Sequence, residues 1–545
     1  MRKQTKLVAV LSTAALLALG ASMSSFAATG WAEENGTWVY YDKNEEAVTE
    51  TWAKSGDNWF YLNDDGEMAT DAIVEYKDNY YYVDVNGAMV ANTWVSVENE
   101  DYDGEDEPIT LWYYFGANGK AYKGNSDKAN FKTINGKRYT FDEEGRMQYG
   151  WIKDGKRDSS DTAWQEADYY CGDENDGAQA VGWRFLEIID TDYDDNDGIR
   201  LSSSNVFDDE DQTRWFYFKA NGKKVYAKDG ETINGSKYSF DEFGRMNAEW
   251  INVTTSPSSA SEAKNYTGWR YFKSPEDGSR ATKGWFKVVP DEVIDTENYD
   301  DDEESWFYAD GKGALITDKI KEINGKRYLF DAKGRMKSGF RLVFLNGSVS
   351  DVEDIQALDS KKEFNGERKV VDTEEDFLAN INTWLEAEYR LYNFGGSDDG
   401  AMKTGKQTLS LDGENFTFLF GKSGSNRGAG QNKVDSGKIY QGGMLLKASK
   451  DDKYVVVEVD KTGTEDRYTL LDTNDFLTTL CDPVASADLK TTEEKAWEPK
   501  TVTGIEYKLI NTSGAIQSGK TSAKDGDDNV FVQNKENITR IYIKK

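Results

Sequence analysis

The sequence has no histidine, only two cysteines and only six prolines in 545 residues. Without an imidazole there is no Ser-His-Asp or Cys-His catalysis, no histidine-ligated zinc and no histidine general base. Cys171 and Cys481 lie far apart and neither belongs to a CxxC pair, so no redox or zinc motif is present. Positive charge is also in short supply. The 66 Lys and Arg stand against 99 Asp and Glu, a net charge of −33, which argues against nucleic acid as a partner because phosphate contacts need a basic surface. Apolar residues make up only 38% of the chain, too few for the three or four ordinary cores that its length would suggest.

Long hydrophobic runs are missing except at the start. Arg2, Lys3 and Lys6 precede an apolar run from Leu7 to Ala21, and Ser25-Phe26-Ala27 places small residues at the positions a signal peptidase reads. Residues 1–27 are therefore expected to be a signal peptide, cleaved after Ala27. The run is short for a membrane span, so no membrane insertion is expected after cleavage. The C-terminal Ile541 to Lys545 carries no sorting-type tail. The expected product is secreted and located at the cell wall or cell surface.

What the chain does have is aromatic residues: 16 Trp, 31 Tyr and 25 Phe, beside 49 Gly. They repeat. Trp31, Trp52, Ile73 and Trp94 follow one another at 21-residue intervals, and Trp38, Trp59 and Tyr80 keep the same spacing. Each unit reads as strand, Gly- or Asn-containing turn, aromatic strand and second turn, which is a β-hairpin. A lone hairpin is barely stable in water, so the units must stack.

Alternation along the second strand separates two faces. The strands Trp38-Val39-Tyr40-Tyr41, Trp59-Phe60-Tyr61-Leu62, Tyr80-Tyr81-Tyr82-Val83, Trp112-Tyr113-Tyr114-Phe115, Trp215-Phe216-Tyr217-Phe218 and Trp306-Phe307-Tyr308-Ala309 vary freely on one face. The other face holds Trp (once Tyr) followed by Tyr in all six. Packing tolerates exchange among hydrophobes, so the fixed pair points to a ligand gripped by aromatic faces; the alternative is that these rings only pack between hairpins. Candidate ligand-binding residues are Trp31, Trp38, Tyr40, Trp52, Trp59, Tyr61, Tyr80, Tyr82, Trp94, Trp112 and Tyr114, then Trp183, Trp215, Tyr217, Trp269, Tyr271, Trp285, Trp306 and Tyr308. No catalytic, metal-binding or cofactor-binding residue is singled out.

A second unit, Ile134 to Met147, recurs as Ile233 to Met246 and Ile323 to Met336. It keeps packing-face aromatics (Tyr139/Phe141, Tyr238/Phe240, Tyr328/Phe330) but has lost the Trp-x-Tyr pair, so it reads as a structural spacer that removes ligand walls. In a third unit the pair reads Asp168/Tyr170 once and Trp269/Tyr271 the next time, and Cys171 falls on the packing face as a buried small hydrophobe. Three acidic insertions, Glu98–Glu107, Asp190–Asp197 with Asp208–Asp211, and Asp295–Glu304, read as solvated loops; the Asp192 to Ser203 stretch lacks the Gly and Glu that an EF-hand needs.

The units are similar to the choline-binding, or cell-wall-binding, repeats of bacterial surface proteins, with a pattern close to G-W-x(4)-G-x-W-Y-Y-x(4)-G-x-M over residues 31 to about 343. The resemblance implies an all-β, repetitive β-hairpin solenoid, left-handed, with a site between successive hairpins. Each site would be walled by the opening Trp, the second-strand Trp and a Tyr of the next hairpin: Trp31, Trp38 and Tyr61, then Trp52, Trp59 and Tyr82. Its implied partner is choline-substituted teichoic acid or another cell-wall or glycan polymer. A quaternary ammonium has no proton to donate, so aromatic faces suit it, at about 0.5–2 kcal/mol per contact, and repetition compensates for weak single sites. A glucan-binding adhesin uses the same Trp and Tyr equipment, because these rings also stack on pyranoses. A cell-wall hydrolase with an unrecognised C-terminal catalytic region is a third reading; absent histidine argues against it and for a protein that is not an enzyme.

The expected organisation is a signal peptide at 1–27, aromatic hairpins at 28–130, super-repeats with acidic insertions at 131–343, and a diverged, mostly-β region with short helices at 344–545. In that last region Asp372-Thr373 before Asp376-Phe377-Leu378 pairs with Asp472-Thr473 before Asp475-Phe476-Leu477, and Tyr389-Arg390-Leu391 with Tyr507-Lys508-Leu509. These pairs suggest a tandem duplication whose copies each open a helix on an Asp or Thr cap.

Overall fold

The computed structural model describes residues 29–545 apart from 103–106, 125–126, 190–210, 254–265, 347, 355–362, 365–366, 369–372, 412 and 520–522. Antiparallel hairpins fill most of it. The strands Gly30–Glu34 and Thr37–Tyr41 pair in register, with Trp31 opposite Tyr40 and Glu33 opposite Trp38. Asn35 and Gly36 make the two-residue turn with φ of 52° and 86°, the pair of left-handed conformations that a type I′ turn demands and Asn-Gly supplies. Asn135-Gly136, Asn234-Gly235 and Asn324-Gly325 repeat it.

The second turn of the units is built around an Asp or Asn side chain, as at Asn63, whose amide oxygen accepts from Glu67 N–H at 2.8 Å. The Asp84 carboxylate accepts from the backbone N–H groups of Asn86 and Ala88 at 2.8 and 2.9 Å, and Asp331 does the same for Lys333 and Arg335. These Asx turns bring the chain back against the preceding hairpin. Met68 N–H donates to the Trp38 carbonyl at 2.7 Å, Met89 to Trp59 at 2.8 Å, Met147 to Trp112 at 2.7 Å and Met246 to Trp215 at 2.8 Å. The side chain of each methionine then meets the next turn. A Cβ on Gly87, whose φ is +78°, would sit 2.8 Å from Met68 Sδ, so the Gly-x-Met spacing is a packing requirement.

The described chain forms two compact units. The first holds residues 29–189, 211–249 and 272–280; the second holds 250–253, 266–271 and 281–545. Small aromatic clusters lie between hairpins within each, such as Phe141 with Tyr139, Ile134 and Met147 in the first, and Phe330 with Ile316 and Ile323 in the second. The fold is all-β with hairpin sheets, as the repeats implied.

Cys171 and Cys481 are both buried and free, and burial pushes each thiol up to about 12. Cys171 is thus an inert packing residue. The acidic insertions differ from the solvated loops expected. Asp295 is buried and ion-pairs with Arg335 and with Lys333 of the following hairpin, while Thr296–Asp300 is a short helix. Asn99 is buried too, its side-chain amide donating to the Pro108 carbonyl at 2.9 Å. The Asp190–Asp197 stretch lies outside the described residues.

From Phe340 onward the architecture changes. Phe340–Asn346 lies between Ser348–Asp354 and Tyr389–Asn393, and Tyr454–Asp460 lies in the same way between Arg467–Leu471 and Ile505–Asn511. In each copy a helical segment lies between the two outer strands in chain order. The first is Glu374–Glu386, opened by a capping box between Thr373 and Asp376. The second is a turn, Thr473–Asp475, whose Asp472 cap accepts from Asn474 and Asp475 N–H, running into a π-helical turn, Phe476–Leu480. Phe377, Ile381, Trp384 and Leu385 form the buried stripe of the first helix against Phe340, Leu391 and Phe418. Phe476 and Leu477 cover Leu509 and Phe531 in the second. No helix among the described residues is long and apolar enough to cross a membrane.

Candidate binding sites between hairpins

Register puts four side chains on one face of each hairpin. The opening Trp faces a Tyr directly: Trp31 and Tyr40, Trp52 and Tyr61, Trp94 and Tyr114, Trp183 and Tyr217, Trp285 and Tyr308. In each case the rings meet edge-on with centroids 5.1–5.3 Å apart. Two residues along, the second-strand Trp faces a residue that differs from hairpin to hairpin: Glu33, Lys54, Ser96, Phe185 or Lys287.

The third ring comes from the next hairpin, and from a different position than expected. Trp31 meets Phe60 at 5.3 Å and Trp52 meets Tyr81 at 5.1 Å, where Tyr61 and Tyr82 were expected as walls. Tyr61 is instead buried against its own Trp52, and Tyr82 points its hydroxyl to Asp71. The cause is the strand period of two: Phe60 and Tyr81 occupy the packing face, which is the face turned toward the preceding hairpin.

The same position explains the hairpins read as spacers. Tyr139 packs on Trp94 at 4.9 Å, Tyr238 on Trp183 at 4.9 Å and Tyr328 on Trp285 at 4.7 Å. Rather than removing walls, these hairpins supply one. Trp183 and Trp215 stand at 88° with centroids 6.1 Å apart, and Trp285 and Trp306 at 88° and 6.2 Å. Two indoles at right angles plus a phenol make a three-sided aromatic trio. Met246 lies in the same cluster as the Trp183–Trp215 trio, and Met147 in that of Trp94 and Trp112.

Exposure sorts the candidates. Trp59 is 41% exposed. Trp31, Trp38, Tyr40, Trp52, Tyr80, Tyr82, Trp94, Trp112, Tyr114, Trp183, Trp215, Tyr217, Tyr271, Trp285, Trp306 and Tyr308 are half-buried. Trp269, expected on a ligand face, is fully buried in a cluster with Trp250, Ile294 and Phe307. Its ring serves the core, because the hairpin there closes over it. At the third hairpin, Ile73 joins Tyr80, Tyr82 and Tyr113 in a cluster without indole.

Two opening tryptophans escaped the sequence reading. Trp151 faces Tyr170 at 4.9 Å and Phe216 at 5.3 Å; Trp250 faces Tyr271 at 5.2 Å and Phe307 at 4.8 Å. Gly150-Trp151 four residues after Met147, and Trp250 four after Met246, were the available signal. At Trp151 the aromatic face already carries a cation. Lys224 is buried with its ammonium 5.5 Å from the indole centroid, donating to the carbonyls of Trp164 and Gln165. Burial pulls its pKa down to about 8, against the pull of Asp241 and Asp168.

Residues 48–94, spanning the Trp52 and Tyr80 hairpins, match the family model described as a choline-binding repeat. The chain is 24% identical over 262 residues to glucosyltransferase-S of Streptococcus mutans, covering 42% of this chain and spanning 16% of that enzyme's length. Similar solved structures include the modular autolysin LytC of Streptococcus pneumoniae in complex with a synthetic peptidoglycan ligand, at 17% identity and TM-score 0.31, covering 58% of this chain and 55% of that one. The choline-binding domain of CbpL from the same organism gives 17% identity and TM-score 0.24, over 55% of this chain and all of that one. Residues 48–94 are thus similar to a choline-binding repeat.

Proposed function

We propose that this chain is a cell-wall-binding repeat protein, held non-covalently at the bacterial surface by aromatic trios that take choline or a wall glycan. The observation that carries this reading is the recurrence of one arrangement, an opening Trp, a second-strand Trp and a ring from the next hairpin; one instance, Trp52 with Trp59 and Tyr81, lies within the residues that match the choline-binding repeat. The site residues are the half-buried members of that arrangement together with exposed Trp59, and its third walls are Phe60, Tyr81, Tyr139, Tyr238 and Tyr328. The rings of each trio offer π faces, which suit a quaternary ammonium. Weak sites repeated along one chain gain through effective concentration. The acidic surface adds long-range attraction for a cationic ligand.

Glucan is the second reading, favoured by the match to a glucosyltransferase, since indole faces also stack on sugar rings. The partner would then be an α- or β-glucan rather than choline-substituted teichoic acid. Binding, rather than catalysis, is the role assigned to the repeats in both cases. The test is retention of the full chain on a choline-type resin. Elution by free choline, and no elution by soluble glucan, supports the first reading. The reverse pattern replaces it with the second.

A further inference from the structure

Five hairpins carry both an opening and a second-strand Trp that stay partly exposed on the same face (the Trp250/Trp269 pair is buried), and they differ at one place on that face. The residue directly across the hairpin from the second-strand Trp is Glu33 facing Trp38, Lys54 facing Trp59, Ser96 facing Trp112, Phe185 facing Trp215 and Lys287 facing Trp306. Cross-strand neighbours on one face are within side-chain reach of each other. This position therefore sees whatever the second-strand Trp sees.

In two hairpins it holds an ammonium group, and in both the group is found on the ring. Lys54 Nζ lies 5.8 Å from the Trp59 centroid, and Lys287 Nζ lies 6.0 Å from that of Trp306. Lys287 is further held by Asp398 at 3.5 Å and Glu304 at 3.8 Å, and the Trp306 indole N–H donates to the same Asp398 at 3.4 Å. Among the described residues no Lys or Arg lies over Trp38, Trp112 or Trp215. There the facing residue is an acid, a small hydroxyl or another ring; Phe185 meets Trp215 at 4.9 Å.

We infer that the residue facing the second-strand Trp decides which trios accept an external cation, and that Lys54 and Lys287 occupy their own trios with a tethered ammonium. The inference rests on the choline reading above and refines it. A Lys ammonium and a quaternary ammonium seek the same π face, and two like charges on one ring repel. Trp183–Trp215 and Trp285–Trp306 make the contrast plain: their interplanar angles are the same and their spacings differ by a tenth of an ångström, yet one face is covered by Phe185 and the other by Lys287. Glu33 gives the converse case, because a carboxylate beside the aromatic face adds attraction for a bound cation.

Equilibrium dialysis of the full chain against choline, counting molecules bound per chain, tests this. Lys54→Gln with Lys287→Gln is expected to bind two more choline molecules per chain than wild type and to need several-fold more free choline for elution from resin. Glu33→Lys is expected to bind one fewer. Lys43→Gln, the charge change of either lysine alone but in an exposed turn, is expected to leave the count at the wild-type value and so controls for net charge. Lys54 is solvent-exposed and Lys287 belongs to no cluster of the core, so the variants should fold, with circular dichroism as the check. If wild type binds choline and the counts do not move in the Lys54/Lys287 and Glu33 variants, the inference is overturned while the choline reading stands. If Lys43→Gln raises the count by half as much as the Lys54/Lys287 pair or more, bulk charge is the cause and the inference is likewise overturned. Wild type that binds no choline overturns both.

Discussion

The hairpins before residue 331 and the sheets after residue 339 use aromatic residues in opposite ways. In the hairpins the tryptophans are mostly half-buried, and each opening Trp touches its cross-strand Tyr and at least one ring of the next hairpin. After residue 339 the helix Glu374–Glu386 seals its aromatics: Trp384 and Phe377 on it and Phe418 beneath it are fully buried, while Trp497 stays half-buried. Edge-to-face pairs contribute about 0.5–1.5 kcal/mol each beyond burial, so a hairpin stack can hold together while leaving part of every ring in water. A helix-on-sheet core cannot do that, since its stability comes from removing the apolar stripe from water altogether. An exposed ring face is available for a ligand and a sealed one is not.

Substitutions should separate the two regions by stability and binding in opposite proportion. Trp384→Ala is expected to have the largest effect, about 3–5 kcal/mol lost in urea unfolding, with choline-resin retention unchanged in the folded fraction. A parallel loss of retention would show that the two regions are not separable. Gly87→Ala comes next. Its left-handed φ and the close approach of Met68 should cost about 2 kcal/mol, whereas Gly36→Ala, with nothing within 4 Å of the new Cβ, should cost about 1 kcal/mol. Equal losses at both would mean that the methionine contact adds nothing.

The Lys224 ammonium offers a pH-dependent contrast. Its folded pKa, about 8, is below the ordinary lysine value, so between pH 8 and about 10 the unfolded chain binds the additional proton. Stability then rises with pH through that window, by at most about 1.4 kcal/mol per pH unit. Urea midpoints of wild type at pH 7 and pH 9.5, compared with Lys224→Met, should show the rise in wild type alone. The same slope in both would assign it to other groups. The smallest stability effect is expected at Trp59, 41% exposed. Trp59→Ala should cost less than about 1 kcal/mol. In the Lys54→Gln background it should also remove the choline molecule that the freed trio takes, read by equilibrium dialysis.

Much of this organisation was legible in the residues. Asn-Gly pairs announced the tight turns, the Trp-x-Tyr alternation announced the common face, and Thr373 and Asp472 announced the helix caps. All of these are local. The errors were all questions of which neighbour covers a face. Trp269 keeps the Trp-x-Tyr pattern yet is fully buried. Tyr139, Tyr238 and Tyr328 looked like spacer residues yet pack on the tryptophans of the preceding hairpin. Asp295 sits in an acidic run yet is buried against Arg335.

The absence of histidine, the excess of acidic charge and the repeating aromatic strands determined by themselves that this is a hairpin protein with aromatic faces. Strand alternation and turn chemistry act over a few residues, so they can be read one unit at a time. Only the tertiary structure decided which ring completes each trio and which trio already holds a lysine. Those contacts join side chains on different strands or different hairpins, and their geometry depends on how each hairpin packs on its neighbour.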